Sequence, residues 1–199
     1  MAAGLATSIA QSNVYSANVV GYVNVPATAA KYVLVSLPLD TGSNNLTGLF
    51  PNLGNGSQIL IWTGAGYQAS QKSFGNWSTN LTLTPGEGFF IKPNVTTTNT
   101  FAGSVAVPVG GSVTNSFQAG VYALVGSPVP YSDTLTGTNL NLQLANGSQI
   151  LIWDSTSQSY QASQKSFGNW STNLTIVPAE GFFVKSSTAT NWVQTFNLQ

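Results

Sequence analysis

The chain lacks the residues from which most enzyme active sites are built. Its 199 residues include no Cys, no His and no Arg. Without His or Cys the usual Ser–His and Cys–His nucleophilic centres cannot be assembled, and a soft metal has no ligands. We therefore predict a protein that is not an enzyme and that needs no cofactor or metal. The absence of Cys also excludes disulfides, although it leaves the redox compartment open.

Charge is almost absent as well. Charged residues make up 5% of the chain and the formal net charge is zero, whereas an average soluble protein has about 25% charged residues. A protein that binds nucleic acid needs clustered cations to neutralise phosphates, and the five lysines are scattered along the chain. We therefore exclude nucleic acid as a partner. The lack of a long apolar run argues against a membrane span.

Aromatic and β-branched residues, in contrast, are plentiful. Hydrophobic residues make up 42% of the chain, including five Trp, seven Tyr and ten Phe, so the chain can bury enough apolar surface to fold. They occur in short runs between Gly, Pro, Asn and Ser, without the period of an amphipathic helix. This pattern predicts an all-β fold of β-sandwich or barrel-like domains. The predicted strands are residues 19–25, 32–37, 58–62, 67–71, 88–92, 98–101, 105–109, 121–125, 149–153, 160–164, 181–185 and 192–196.

Much of the chain is present twice. The segment 67–82 is repeated without change at 160–175, whereas neighbouring apolar positions such as Ile91 and Val184 differ. A polar block that is better preserved than the apolar positions indicates a shared contact surface, or local sequence homogenisation. We predict two tandem homologous domains, at residues 19–102 and 103–199, preceded by an N-terminal arm or signal remnant at residues 1–18.

The arm has no counterpart in the second copy. Its first ten residues resemble the end of a secretory signal, which predicts an exported protein located outside the cell or at its surface. The arm also contains or adjoins β-compatible residues that can add a strand to the sheet edge of the same or a neighbouring molecule. These assembly-arm residues are Val14, Tyr15, Val19 and Val20.

The repeated polar block is the predicted contact surface. Its members are Gln71, Lys72, Asn76 and Trp77, with Gln164, Lys165, Asn169 and Trp170 in the second copy. We expect Trp77 and Trp170 to be the most exposed aromatics. Aromatic rings among Gln, Asn and Ser are suited to stacking on a sugar, so glycans are candidate partners. Alternatively, these rings and their neighbours Trp62, Tyr67 and Phe74 fill the core of a small β-domain.

Few other residues offer chemistry. The carboxylates Glu87 and Glu180 occupy equivalent positions in the two copies and would have to face each other to act as a glycosidase pair. The simpler interpretation is that each Glu holds a turn or pairs with a lysine. In an exported chain, sequons are also candidate glycosylation sites. They lie at Asn45, Asn55, Asn76, Asn80, Asn94, Asn146, Asn169 and Asn173.

Several short motifs carry a resemblance to other proteins. They are GYVNVP at 21–26, QILIW at 58–62, FGNW at 74–77, GEGFF at 86–90 and NW followed by TF at 191–196. In these motifs the chain resembles a loosely defined group of secreted bacterial β-repeat proteins, although Ala179 begins AEGFF in place of GEGFF in the second copy. The resemblance implies export and duplication and carries over no functional residues. Such uncharged modules are also similar to building blocks of extracellular bacterial fibres.

The scarcity of charge leads to a functional expectation. Soluble β-proteins protect their sheet edges with charge, proline or bulges, and a neutral chain lacks mutual repulsion. We therefore expect a structural subunit of an extracellular self-assembling filament or surface layer, with subunits joined by β-strand addition from a donor strand. The alternative is a secreted carbohydrate-binding module. With so few titratable groups, we also expect stability to vary little with pH.

Overall fold

The computed structural model of the chain describes residues 19–197, which form an all-β structure with several antiparallel sheets. We refer to residues 19–104 as the first half and to residues 105–197 as the second half. The first half contains a short helix, α1 (Leu46–Leu49), and strands β1 (Val20–Ala27), β2 (Val33–Ser36), β3 (Gln58–Trp62), β4 (Tyr67–Ser73), β5 (Asn76–Trp77), β6 (Gly88–Lys92) and β7 (Thr97–Ser104). The second half contains β8 (Ser112–Phe117), β9 (Tyr122–Gly126), β10 (Asp133–Thr134), β11 (Gln149–Asp154), β12 (Ser159–Ser166), β13 (Asn169–Trp170), β14 (Thr175–Ile176), β15 (Gly181–Lys185) and β16 (Thr190–Thr195).

Each half contributes one five-stranded sheet, and the two sheets have the same strand order. The order is β2-β6-β3-β4-β5 in the first half and β9-β15-β11-β12-β13 in the second. Each half also contributes a two-stranded antiparallel ribbon, formed by β1 with β7 and by β8 with β16. In β3 and β11 burial alternates along the strand, because successive side chains point to opposite faces of a sheet.

Each half has its own core, and the two cores share some aromatic positions, such as Phe89 and Phe182, and differ at others. In the first half Phe50 lies edge-on to Phe89 and Phe101, with ring centroids 5.9 and 5.8 Å apart. In the second half Trp192 packs against Phe182 and Phe117, and its Nε1 donates a hydrogen bond to the Leu140 carbonyl at 2.6 Å. The apolar positions of the two copies have thus diverged while the strand order has stayed the same.

A third apolar cluster joins the two sheets. Its buried members are Leu34 and Phe90 from the first half and Leu124 and Phe183 from the second. The contacts are reciprocal, since Trp62 Nε1 donates to the Tyr122 carbonyl and Trp153 Nε1 donates to the Tyr32 carbonyl, both at 2.9 Å. Reciprocal contacts of this kind are typical of isologous interfaces between two copies of one subunit. We call this region the junction.

Backbone hydrogen bonds at the junction also cover two sheet edges. The Ser36 N–H at the end of β2 donates to the Ala179 carbonyl at 2.9 Å, and the Gly126 N–H at the end of β9 donates to the Gly86 carbonyl at 2.8 Å. Each half therefore covers part of the edge strand of the other half. Edges covered in this way are protected from pairing with another molecule.

One predicted strand is wrong. Residues 105–109 form no strand, because this segment contains Pro108 and ends in a turn in which Gly110 has a φ of 74° and the Gly111 N–H donates to the Pro108 carbonyl. The second half begins its sheet structure with β8, which the sequence did not reveal. The boundary predicted between residues 102 and 103 lies inside β7. No helix among residues 19–197 is long and apolar enough to cross a membrane.

Candidate functional site

The outer edge of β1 is open. The Val105 N–H donates to the Val19 carbonyl at 2.8 Å, which identifies these two residues as a hydrogen-bonded pair of the β1–β7 ribbon. Hydrogen-bonded and non-hydrogen-bonded pairs alternate in antiparallel strands, so the N–H and C=O groups of Val20, Tyr22 and Asn24 point away from β7. These groups take part in no backbone hydrogen bond with another of residues 19–197.

The outer edge of β8 is open in the same way. The Phe196 N–H donates to the Gly111 carbonyl at 3.1 Å, so the alternation directs the backbone groups of Ser112, Thr114 and Ser116 away from β16. Within the described part of the chain these groups have no backbone partner either. Within residues 19–197, both halves therefore present an unpaired strand edge, β1 in the first half and β8 in the second.

Neither edge carries the usual protection. Strands β1 and β8 contain no charged residue, and Pro26 interrupts the edge of β1 only at its end. The side chains of Val20 and Tyr22 are 75% and 72% exposed. The opposite edges of the ribbons are partly covered, because Asp40 pairs with Ser104 in both directions and Asn141 Nδ2 donates to the Val193 carbonyl.

The assembly-arm residues fall into two groups. Val14 and Tyr15 lie outside the described residues. Val19 and Val20 lie at the start of the β1–β7 ribbon of their own half, where the Val19 carbonyl accepts the hydrogen bond from Val105. Val20 thereby becomes part of the open edge and not of a separate arm.

The repeated polar block spans β4 and β5 in the first half and β12 and β13 in the second. Gln71, Asn76 and their counterparts Gln164 and Asn169 are exposed, as predicted. The expectation that Trp77 and Trp170 are the most exposed aromatics is wrong, since their exposed fractions are 8% and 9%. Each Trp follows an outward-facing Asn in a two-residue strand, so the alternation of side chains turns the Trp into the core.

The lysines of the repeated block also point inward. Lys72 is 7% exposed, and its Nζ donates to the carbonyls of Phe50 and Pro51 at 3.2 and 3.0 Å. In the second half Lys165 Nζ donates to the Leu144 carbonyl at 2.9 Å. Lys72 and Lys165 each lie 5.8 Å from the ring of the following Trp, at cation–π distance. These lysines therefore tie the block to the preceding loop.

Serine hydroxyl groups of the block bind backbone groups across the β4–β5 and β12–β13 hairpins. Buried Ser70 Oγ donates to the Thr79 carbonyl at 2.7 Å and accepts from the Thr79 N–H at 3.2 Å. Ser163 and Thr172 form the same pair of bonds at 2.6 and 3.1 Å. Internal hydrogen bonds therefore explain part of the sequence identity between the two copies of the block. We did not predict this reason from the sequence.

The most exposed aromatic residues occupy the tips of these hairpins. Phe74 and Phe167 are each 94% exposed, and each has a φ of 49°. Gly75 and Gly168 follow them with φ values of 81° and 82°. We grouped Phe74 with the other aromatic residues and did not predict its exposure. The sequence does contain a signal for this unusual turn, because Phe74-Gly75 stands where a two-residue hairpin loop usually has Asn-Gly.

Trp62, Tyr67 and their counterparts line the junction. Two shallow cavities of about 160 and 180 Å³ lie on either side of Tyr67 and Tyr160, with walls from both halves. Trp62 lies edge-on to Tyr67 at 5.1 Å, and Trp153 lies edge-on to Tyr160 at 4.8 Å. Burial and a hydrogen bond with Tyr67 raise the pKa of Tyr160. These four rings thus pack in pairs and against Phe90 and Phe183 at the junction, with Tyr67 and Tyr160 44% and 41% exposed, and do not fill the core of either half.

Each of the two glutamates is hydrogen-bonded within its own turn. Glu87 Oε2 accepts hydrogen bonds from the Thr84 N–H and hydroxyl, and Glu180 Oε2 accepts one from the Val177 N–H. This confirms the interpretation that each Glu holds a turn. Burial raises the pKa of Glu180, and the hydrogen bond from Val177 opposes that rise. Residues 19–197 contain no cluster of three acidic side chains that could bind a metal ion.

The sequon asparagines are accessible except at one position. Asn45 is half-buried, and its side chain accepts a hydrogen bond from Gly48 at the start of α1. The other seven are exposed. Two of them, Asn55 and Asn146, use Oδ1 to accept hydrogen bonds from the turn glycines Gly75 and Gly168, both at 2.8 Å. Glycosylation stays a prediction.

Comparison with known proteins gives no family assignment. No protein-family model, no curated protein and no solved structure matches the chain. The functional interpretation therefore depends on the open edges of β1 and β8 and on the exposed hairpin tips.

Proposed function

We propose that this protein is a structural subunit of an extracellular self-assembling filament or surface layer, in which β-strand addition joins the subunits. The observation that carries the proposal is the open, uncharged edge of β1 in the first half and of β8 in the second, within residues 19–197. Unpaired N–H and C=O groups in a row act as a template for another strand unless charge, proline or a covering segment blocks them. The edges of β1 and β8 have little of this protection.

The two edges suggest a specific contact. In the proposed contact β1 of one molecule pairs with β8 of the next, which joins two ribbons into a four-stranded sheet with the order β7-β1-β8-β16. The contact uses a different edge on each partner, so every added molecule leaves one β1 edge and one β8 edge free. A heterologous contact that does not close on itself produces a filament.

The energetics of this contact are favourable. Each new backbone hydrogen bond contributes about 0.5–1.5 kcal/mol, and the added strand covers the exposed side chains of Val20 and Tyr22 at about 25 cal/mol per Å² of apolar surface. The formal net charge of zero removes electrostatic repulsion between subunits. The extracellular location is proposed from the resemblance to secreted β-repeat proteins.

Proline substitutions at outward-facing positions test the proposal. Asn24→Pro in β1 and Thr114→Pro in β8 each remove an N–H that points away from the ribbon, so the ladder within the ribbon keeps its hydrogen bonds. We expect the natural chain to form long polymers, and each single variant and the double variant to remain monomeric, because each lacks one of the two edges in every molecule. An equimolar mixture of the two single variants should stop at dimers. Sedimentation velocity and negative-stain electron microscopy measure these states.

Ala102→Pro is the matched control. Ala102 lies in β7 of the same ribbon, and its N–H points toward the opposite edge. This variant should polymerise like the natural chain. The edge assignment is wrong if Ala102→Pro blocks assembly while Asn24→Pro and Thr114→Pro do not, and assembly itself is refuted if the natural chain stays monomeric.

A further inference from the structure

Phe74 and Phe167 occupy a backbone position that is unfavourable for phenylalanine. Ser73 pairs with Asn76 across the β4–β5 hairpin, so Phe74 and Gly75 form a two-residue loop with positive φ at both positions. This is a type I′ turn, in which Asn, Asp or Gly is preferred at the first position. A bulky side chain in the left-handed region is strained. The second half repeats the arrangement at Phe167 and Gly168.

The side chains gain little inside the molecule to offset this strain. Phe74 and Phe167 have the highest exposed fraction among the large hydrophobic residues described, 94% in both cases. A Phe ring left in water forgoes the stabilisation of about 1.5–3 kcal/mol that burial provides. Residues that break local rules without a structural gain are expected mainly at functional sites.

The turns are also held in place. Asn55 Oδ1 accepts a hydrogen bond from the Gly75 N–H at 2.8 Å, and Asn76 Nδ2 donates to the Phe74 carbonyl at 3.2 Å. The second half has the same two bonds at 2.8 and 3.3 Å. A ring on a fixed turn binds a ligand at a lower entropic cost than a ring on a mobile loop.

The surroundings of each ring define the chemistry of the partner. The exposed neighbours of Phe74 are Gln71, Ser73 and Asn76, which carry amide and hydroxyl groups without charge, and Lys72 points into the core. An anionic lipid surface or a nucleic acid requires exposed Lys or Arg. Amides and hydroxyls both donate and accept hydrogen bonds, as sugar hydroxyls do, and an aromatic face covers the C–H face of a sugar ring.

We infer that Phe74 and Phe167 are two equivalent contact residues for a neutral polysaccharide. Each ring stacks on a sugar unit, and the flanking amides hydrogen-bond its hydroxyl groups. Two equal sites on one chain bind a repeating polymer more tightly than either site alone, because the second contact forms within the same complex. This inference goes beyond the filament, since the binding requires only a monomer.

The test uses the double substitution Phe74→Asn and Phe167→Asn. It is made in the monomeric Asn24→Pro, Thr114→Pro background, so that loss of binding cannot result from loss of assembly. The probes are suspensions of regenerated cellulose, chitin and β-1,3-glucan, and the bound fraction is measured after centrifugation. We expect the parent to bind at least one of them and the double substitution to weaken binding at least about tenfold, with each single substitution in between.

The same variants should unfold at a higher temperature than the parent, because Asn-Gly suits a type I′ turn better than Phe-Gly. Gain of stability together with loss of binding distinguishes a contact residue from a structural one. Val121→Asn, which changes another exposed apolar residue (41% exposed), is the control and should leave binding unchanged.

Three results would overturn the inference. The first is that the parent binds none of the three polysaccharides, and the second is that the double substitution leaves binding intact. The third is that the parent binds phosphatidylserine vesicles, and not polysaccharide, through the two Phe residues. If instead the polysaccharide result is as expected but the natural chain does not polymerise, the filament proposal fails and this one stands.

Discussion

At the scale of single residues, the junction leaves no room for a side chain at Gly126. A Cβ atom added there would lie 2.0 Å from Ser36 Oγ and 2.8 Å from the Glu180 carbonyl oxygen. We predict that Gly126→Ala lowers the free energy of unfolding by about 1–3 kcal/mol or more, because the two sheets must move apart. Urea denaturation measures this loss.

Gly66→Ala is the control for that measurement. A Cβ at Gly66 meets no heavy atom within 4 Å, so this variant should be neutral or more stable by up to about 1 kcal/mol. Equal free energies of unfolding for the two variants would show that the junction is not packed as described.

One partly buried carboxyl group, that of Glu180, makes the free energy of unfolding depend on pH. Burial raises its pKa above the ordinary value of 4.5, so the folded state holds this proton more tightly than the unfolded chain. The free energy of unfolding therefore falls as the pH rises from 4.5 through the raised pKa. Hydrogen bonds from the Thr156 backbone and the Ser157 side chain lower the pKa of Asp154. The contribution of Asp154 to the free energy of unfolding therefore changes only below pH 3.8, where it is lost as the pH falls.

We predict that Glu180→Gln removes the decline above pH 4.5, while Glu87→Gln, the matching change in the first half, retains it. Thermal unfolding followed by circular dichroism between pH 4 and 7 provides the comparison. A natural chain whose unfolding free energy rises across this range would contradict the assignment. The sequence predicted a nearly flat profile because it shows the small number of carboxylates but not their burial.

The burial of Trp77 marks the limit of sequence reasoning at this scale. Its neighbours are Asn76 and Ser78, so the local composition indicates a surface position. The orientation of Trp77 depends on the hairpin register, in which Lys72 faces Trp77, and a two-residue strand gives no periodic signal from which to read it.

At the scale of strands, the predictable elements are those with a continuous apolar run. Strands β3 and β15 are confirmed because QILIW and GFFVK leave no alternative to a buried strand. Strand β8 was missed because SVTNSF is mostly polar and only Phe117 is buried. The neighbouring segment 105–109 contains three valines, yet Pro108 and Gly110 prevent it from joining a sheet.

The reciprocal contacts at the junction give a prediction at the same scale. Trp62→Phe and Trp153→Phe each remove one indole N–H that donates to a backbone carbonyl of the other half. We predict that each variant lowers the free energy of unfolding by about 1–3 kcal/mol. The loss should be smaller for Trp153→Phe, because the Tyr32 carbonyl also accepts a hydrogen bond from Gln158 Nε2 at 2.9 Å. Chemical denaturation of both variants checks this, and a loss confined to one variant would contradict a reciprocal junction.

At the scale of the whole molecule, the junction determines which edges remain free. It partly covers the edges of β2 and β9, and β5 and β13 are too short to serve as templates, whereas β1 and β8 have no backbone partner on their outer edges within residues 19–197. The sequence predicted an all-β duplicated chain and unprotected edges in general. It did not predict the junction, because a pattern of apolar residues shows which side chains are buried but not which elements they pack against.

The central claim is that molecules join through the edges of β1 and β8. The most direct measurement is sedimentation velocity of the natural chain and of the Asn24→Pro, Thr114→Pro variant over the same range of concentrations. The claim predicts polymers that lengthen with concentration for the natural chain and a single monomer boundary for the variant. A monomer boundary for the natural chain at every concentration, or polymers of equal length for both proteins, would contradict it.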